Sequence, residues 1–211
     1  IIEKDDDKVL LQCEGSFTIK HKMHLHTSAP IHTAALTEKD WQDLAYVLNK
    51  PIDIVALSFI QNSKPVVEVK EYLAQRGKKV LLLSKIETQA AVDNIAEITA
   101  QSDMLMVARG DLALEAELVD LPSNQEEIIN EGRKQHKPVI VATQMLYSMV
   151  KNPMPTRAEI NDIALAIRQG ANGVMLSDET TVGDHPSKAL HYLKLISEAT
   201  LTKMLSTNKT R

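Results

Sequence analysis

Two textures alternate along the chain from Thr37 onward: apolar residues spaced every three to four positions, and short runs rich in Val, Ile and Leu. Trp41, Leu44, Ala45 and Leu48 recur at helical spacing behind Thr37, and Asp40 completes a capping-box pattern in which side chains satisfy the exposed N–H groups of a helix start. A strand is predicted over Asp53 to Phe59. Ser63 with Pro65 opens a second helix that Gly77 closes, and a second strand follows over Lys79 to Lys85. Ala91, Ile95 and Ile98 mark another helix, and Met104 to Ala108 a third strand. Ser123 with Glu126 is expected to cap the next helix, ahead of a fourth strand at Pro138 to Ala142. Thr156 with Glu159 forms a second capping box leading Ile160, Ile163, Ala164 and Ile167; Gly170 ends that helix, Gly173 to Ser177 gives a fifth strand, and a last helix starts near Pro186.

Before Thr37 the pattern changes. The polar run Glu3 to Lys8 precedes extended segments around Val9 to Cys13 and Phe17 to Leu25, with Glu14-Gly15 as a turn. Residues 1–35 read as the end of a small β domain, 36–200 as an α/β unit, and 201–211 as a polar tail expected to fray after Ala199.

Strands joined by crossover helices build a parallel sheet, and periodicity alone fits an open doubly wound sheet or a (β/α)8 barrel. No GxGxxG turn follows any strand, which weakens a dinucleotide-binding reading. Instead, polar residues collect at the carboxyl ends of the strands: Lys85 and Glu87, Arg109 and Asp111, Thr143, Ser177 and Glu179. In a barrel these ends open on one face, where active sites lie.

Composition narrows the partners. The 211 residues are 44% hydrophobic and 25% charged, with a formal charge of -4, and Lys and Arg are scattered rather than gathered into a stripe. Neither nucleic acid nor a membrane surface is an expected partner. The longest apolar stretch, Pro138 to Val150, is interrupted by Thr143, Gln144 and Ser148 and is too short to cross a bilayer. Cys13 is the sole cysteine and no charged-then-apolar leader precedes it, so a reducing, cytoplasmic setting is expected. The first residue is Ile1, and the chain is read as a piece of a longer protein.

Three strand ends carry candidate chemistry. In Ser84-Lys85-Ile86-Glu87, alternation points Lys85 and Glu87 one way and Ser84 and Ile86 the other. An ammonium beside a partly buried carboxylate is costly, a cost that sites bear where charge develops during a reaction; a structural ion pair is the alternative. In Met106-Val107-Ala108-Arg109-Gly110-Asp111, Gly110 permits close backbone approach, and nearby amides can face an anion if a short helix begins there. Glu87 and Asp111 together offer oxygen ligands suited to Mg2+ or Mn2+, whereas zinc is disfavoured because no His or Cys stands at a neighbouring strand end. Asp111 alone reads equally as a helix cap. Thr143 presents a hydroxyl at the same mouth, or is an ordinary Thr bonded to backbone. Arg157 and Glu159 read as a capped helix start. His21, His24 and His26 do not share one strand face and are read as packed or solvated rather than as metal ligands.

Taken together and in order, Leu36-Thr37-Glu38-Lys39-Asp40, Ala56-Leu57-Ser58-Phe59-Ile60, Ser84-Lys85-Ile86-Glu87, Met106-Val107-Ala108-Arg109-Gly110-Asp111-Leu112, Ala142-Thr143-Gln144-Met145-Leu146, Pro155-Thr156-Arg157-Ala158-Glu159 and Val174-Met175-Leu176-Ser177 resemble the pyruvate kinases. The similarity covers about residues 9–200. It implies a partial (β/α)8 TIM barrel made of about its last five strand–helix units, preceded by the final strands of the small B domain. It also implies a glycolytic phosphotransferase that works on phosphoenolpyruvate and ADP to give pyruvate and ATP, homo-oligomeric when full length. By resemblance, Lys85 stabilises charge on the phosphoryl group and the enolate, Glu87 and Asp111 hold Mg2+ (or Mn2+), Arg109, Gly110 and Asp111 bind the substrate carboxylate through backbone, and Thr143 assists protonation through a water with Ser177 nearby.

Some positions depart from the family pattern. Ala113 stands where Gly-Asp-Leu-Gly has its last glycine, Asp178 where Ser-Gly-Glu-Thr has glycine, Gln61 where Arg is frequent, and Tyr147 where Glu is usual. The family also uses K+ and phosphate ligands, an Arg among them, on the first barrel strands, which the resemblance does not place in this chain; nor does it place the C-terminal allosteric domain here. Two further readings stand beside this one: a non-catalytic homologue that binds substrate or a partner, and another Mg2+-dependent barrel enzyme of (phosphoenol)pyruvate such as a lyase or aldolase. Five strands leave two open edges. The chain by itself is therefore expected not to sustain normal turnover, and ordinary activity from purified material of this length, in a coupled phosphoenolpyruvate and ADP assay, is the contrary result.

Overall fold

The computed structural model describes residues 2–5, 8–10, 12, 15, 18 and 35–208. Cys13, the expected strand from Phe17 to Leu25, and His21, His24 and His26 lie outside the described residues. Two short strands, β1 (Glu3–Lys4) and β2 (Val9–Leu10), pair antiparallel with Glu3 opposite Leu10. The first of them falls inside the run read as merely polar. Asp5 closes the turn by accepting the Lys8 N–H through its carboxylate at 2.7 Å and by donating its own N–H to the Lys8 carbonyl at 2.9 Å.

The α/β unit begins with α1 (Glu38–Val47), whose Thr37 and Asp40 form the reciprocal cap expected from their spacing. It continues through β3 (Ile54–Leu57), α2 (Lys64–Gln75), β4 (Leu81–Ile86), α3 (Gln89–Asp93), α4 (Ile95–Gln101) and β5 (Met104–Ala108). The single helix read over Ala91 to Ile98 is two, because Asn94 breaks helical geometry and turns its amide to the Gln61 carbonyl. After β5 come α5 (Arg109–Glu115), a 3-10 turn (Leu118–Asp120), α6 (Leu121–Lys134), β6 (Val139–Ala142), a second 3-10 turn (Tyr147–Val150), α7 (Arg157–Gln169), β7 (Gly173–Met175), α8 (Asp178–Thr181) and α9 (Pro186–Asn208).

Two further expectations are corrected. Ser123 and Glu126 do not cap α6; the helix starts earlier, at Leu121, with Asp120 as its N-cap and Pro122 in the first turn, where proline's missing N–H costs nothing. Nor does the chain fray after Ala199: α9 runs on to Asn208, held by Leu193, Thr200 and partly buried Ile196 and Met204 on its packed side. No described helix is long and apolar enough to cross a membrane.

Strand order resolves the ambiguity left by periodicity. The sheet runs β3-β4-β5-β6-β7, all parallel and without reversal, whereas a doubly wound sheet reverses order at a switch point. Side-chain alternation then gives the sheet two unlike faces. Leu57, Leu82, Ile86, Leu105, Val107, Val139 and Val141 join the large cluster shared with the helices. The opposite face carries Leu83, Met106, Ala108 and Ala142, with Met104 and Ile140 packed beside them. The inner face thus carries an apolar layer of its own, as the interior of a barrel is filled by side chains from its strands.

Gly132 sets how closely α6 approaches the sheet. A Cβ there would run into Val139 Cγ2 and lie 3.1 Å from the Lys137 carbonyl oxygen, and both Gly132 and Val139 are buried. Helix propensity alone would favour alanine by about 1 kcal/mol, but overpacking against a fully buried strand residue opposes it. Gly132→Ala is expected to destabilise the protein by about 1–3 kcal/mol in urea unfolding; an unchanged or raised midpoint would mean that Val139 yields freely.

Candidate active site at the carboxyl ends of the strands

Strand β4 delivers the first two groups to one side of the sheet. Lys85 follows Leu83 on the inner face, and Glu87 comes one residue past the strand end. Lys85 Nζ lies 2.5 Å from Glu87 Oε1 and donates to Ser58 Oγ at 3.0 Å. The Glu87 side chain is fully buried, whereas 26% of the Lys85 side chain meets solvent. Glu87 Oε2 accepts the Phe59 N–H at 2.6 Å, and Phe59 adopts a φ of 53°, a left-handed conformation that aims its amide inward. Oε1 has no hydrogen-bond partner of normal geometry. The ammonium therefore balances the carboxylate's charge without saturating its lone pairs.

Burial is the largest influence on Glu87 and raises its pKa above the ordinary carboxylate value. The contacts from Lys85 and Phe59 work against that rise, while the negative charge of Asp111 adds to it. Asp111 stands at the adjoining strand end, in the first turn of α5 and partly buried. The Asp111 charge thus opposes ionisation of Glu87, whose buried Oε1 faces the Lys85 ammonium, and a cation there would lower the electrostatic cost.

The next two strands present a different arrangement. Thr143 and Gln144, immediately after β6, have φ of 71° and 54°. Left-handed backbone at consecutive non-glycine residues, one of them β-branched, costs about 1–3 kcal/mol each and persists only where surroundings enforce it. Thr143 Oγ1 donates to the Ala142 carbonyl at 2.6 Å and accepts the Gly110 N–H at 2.7 Å. That amide is thus engaged within the protein, so of the anion-facing amides expected around Gly110 and Asp111, the Gly110 one is not free.

Arg109 does not point its side chain at the mouth. It is 8% exposed, and its guanidinium donates twice to the Thr143 carbonyl, at 2.8 and 3.2 Å, and to Asp162 Oδ2 at 2.7 Å. Its side chain is thus committed within the protein, and any contact with a ligand would fall to its backbone. Ser177 occupies the N-cap position of α8 without a side-chain cap bond, just past β7, which is next in the sheet to the strand leading to Thr143. Its N–H donates to Glu179 Oε2 at 2.8 Å, and Glu179 Oε1 accepts the Leu146 N–H at 2.9 Å, so this buried carboxylate ties the loops after β6 and β7 together. Asp178, the departure from glycine, is exposed in the first turn of α8, where a negative charge is favourable. Glu159 bonds Thr156 and also both the N–H and hydroxyl of Ser148, so its cap extends to the turn beyond β6.

The strand pattern alone does not single out Ser58, Glu179 as a clamp, or Asp162. Ser58 was accessible in principle, since it continues the Ile54 and Ala56 face of β3 beside Lys85. Asp162 has no local signal, because its partner lies 53 residues away.

No group of three or more His, Cys, Asp or Glu able to hold a metal occurs among the described residues. Glu87 and Asp111 are instead a pair of hard oxygen donors, which suits an ion such as Mg2+ that keeps water and substrate oxygens in its shell. Glu87 Oε1, which is buried and paired in charge with Lys85 but lacks a hydrogen bond of normal geometry, fits such an ion.

A consecutive parallel α/β sheet, with an ammonium, two carboxylates and a hydroxyl at neighbouring strand ends, is the arrangement of a barrel-type protein. The match to a family model narrows this: the pyruvate kinase barrel domain fits residues 1–190, and the chain belongs to the pyruvate kinase family, its five strands being part of that TIM barrel. It is 42% identical over 203 residues to plastidial pyruvate kinase 2 of Arabidopsis thaliana, covering 94% of this chain and 35% of that protein. A pyruvate kinase of Dictyostelium discoideum is 39% identical over 204 residues, covering 96% and 40%, and one of Thermotoga maritima 37% over 206 residues, covering 97% and 44%. The chain thus spans between 35% and 44% of the length of these curated relatives.

The raised pKa of Glu87 has a definite sign in stability. A carboxyl that holds its proton more tightly when folded contributes stability below its unfolded value of 4.5, and that contribution is lost as pH rises through the folded pKa. In the presence of a chelator, Glu87→Gln should lack this loss, so its stability relative to wild type should improve as pH rises from 4.5 in urea titrations. Parallel pH profiles for the two proteins would contradict the assignment of burial as the dominant influence.

Proposed function

We propose that this chain supplies the metal- and charge-handling side of a pyruvate kinase active site, and that the protein carrying it transfers a phosphoryl group from phosphoenolpyruvate to ADP, giving pyruvate and ATP. The observation that carries this reading is the buried Glu87 carboxylate, paired with Lys85 through an oxygen that lacks a hydrogen bond and raised in pKa partly by the charge of Asp111.

Each residue contributes a specific part. Lys85, fixed by Ser58 and Glu87 yet a quarter exposed, presents a preorganised positive charge to the transferring phosphoryl group and to the enolate left behind. Its position is determined before substrate arrives, so little reorganisation is spent during the reaction. Glu87 and Asp111 would hold Mg2+ or Mn2+, which when bound would supply positive charge to offset that of the phosphate. Backbone at Arg109 and Asp111 would bind the substrate carboxylate, the Gly110 N–H being held by Thr143.

Thr143 has a more restricted role than direct proton donor. Its hydroxyl proton goes to the Ala142 carbonyl and one acceptor site is taken by the Gly110 N–H, which leaves a lone pair for a water. It orients the water that protonates the enolate, and Ser177 stands just past the neighbouring strand β7. Family members' use of K+ adds a monovalent cation to the expected cofactors.

A coupled assay with phosphoenolpyruvate, ADP, Mg2+ and K+ on the complete gene product tests the proposal. Wild type should turn over, and Lys85→Met should lower kcat by about a hundredfold or more with the fold preserved by circular dichroism. Divalent-metal binding without any phosphoryl transfer would indicate a non-catalytic homologue, and turnover of phosphoenolpyruvate or pyruvate without need of ADP a different barrel enzyme.

A further inference from the structure

Arg109 and Asp162 form a clamp on the backbone that carries Thr143. Thr143 and Gln144 stand in left-handed conformations that their side chains do not favour, so something besides local preference must hold them. Two interactions grip Thr143 from the β5–α5 junction. The Gly110 N–H donates to its hydroxyl at 2.7 Å, and the Arg109 guanidinium donates to its carbonyl through Nη2 at 2.8 Å and Nε at 3.2 Å. Adjacent residues thus fix both ends of the same residue, side chain and carbonyl.

The guanidinium is itself held from outside the strand ends. Asp162 of α7 accepts from Nη1 at 2.7 Å, and Met145 Sδ lies 3.1 Å from Nη2. Gln125 of α6 contributes a longer contact to Nη1 at 3.5 Å, and its amide donates to Gln169 of α7 at 2.7 Å. Arg109 is buried while the Asp162 side chain is 34% exposed, so the pair joins the interior of the strand ends to the helical layer. A planar fork can engage a carbonyl and a carboxylate at once, which a lysine ammonium cannot do with the same geometry.

We infer that the Arg109 and Asp162 side chains are positioning groups: they hold the left-handed Thr143–Gln144 turn so that the Thr143 hydroxyl keeps its place beside Gly110, and neither side chain touches substrate. This deepens the proposed function and rests on it for the catalytic consequence, while the conformational consequence stands independently. If the turn relaxes, the hydroxyl moves away from the water it orients, and the step that suffers is proton delivery rather than substrate capture. The expected signature is therefore a fall in kcat with KM for phosphoenolpyruvate largely kept.

The test uses Asp162→Asn and Arg109→Lys in the complete gene product, with two readouts. Amide hydrogen exchange at Gly110, which reports its bond to Thr143, should accelerate in both variants, more in Arg109→Lys. In the coupled assay kcat should fall on the order of 10- to 100-fold with KM changed by no more than about twofold, and Asp162→Glu should recover part of it. Unchanged Gly110 exchange in a folded Asp162→Asn protein would overturn the clamp. Faster exchange with unaltered kcat would overturn its catalytic consequence. Absence of turnover in the wild type would refute the proposed function instead, and the exchange data would then decide the clamp alone.

Discussion

The interaction that organises this site is the pairing of a wholly buried carboxylate with an ammonium that is not wholly buried. Glu87 lies beneath the strand ends where water cannot reach it, and Lys85 covers one of its oxygens from the solvent side. Such pairs are weak contributors to stability, because desolvation consumes most of the attraction. Here the carboxylate's pKa remains raised even with the ammonium in place, so the pair stays electrostatically unfinished. Asp111 makes it more so. A site that is undercompensated in this way has free energy to gain from a cation or from a charge that shifts during a reaction.

The sheet makes that arrangement possible by assigning opposite tasks to its two faces. Leu82, Ile86, Leu105, Val107, Val139 and Val141 bury themselves against the helices, which fixes the register of every strand. With register fixed, Leu83, Met106, Ala108 and Ala142 must occupy the other face, and Lys85 must follow Leu83 to the rim. The apolar packing therefore aims the polar residues. Parallel order without reversal adds that all five carboxyl ends stand along the same edge.

Backbone strain and buried polar contacts complement each other at that edge. Phe59 turns left-handed to bring its amide to Glu87, and Thr143 does so where Arg109 and Gly110 grip it. Glu179 and Glu159 then fasten the segments that follow β6, one to the loop after β7 and the other to the start of α7. Each clamp uses a charged or forked side chain on backbone groups that would otherwise be orphaned in the interior. These contacts are thereby concentrated at the strand ends where the polar groups sit.

Much of the architecture was written locally. Capping boxes at Thr37 and Thr156, the left-handed glycines at Gly77 and Gly170, and the β-rich runs are short-range signals, and each marks its element because the physics involved spans a few residues. The convergence of Lys85 and Glu87 was legible for the same reason, since strand alternation is local. Signals failed where competing local chemistry was ambiguous, as at Ser123, which sits inside α6 because Pro122 and Asp120 take the helix start. Only the tertiary structure decided the consecutive strand order, the second role of Arg109 and the partnership with Asp162. Those depend on contacts between residues far apart in the chain, whose free energy is set by packing of whole layers and leaves no periodic trace in the sequence.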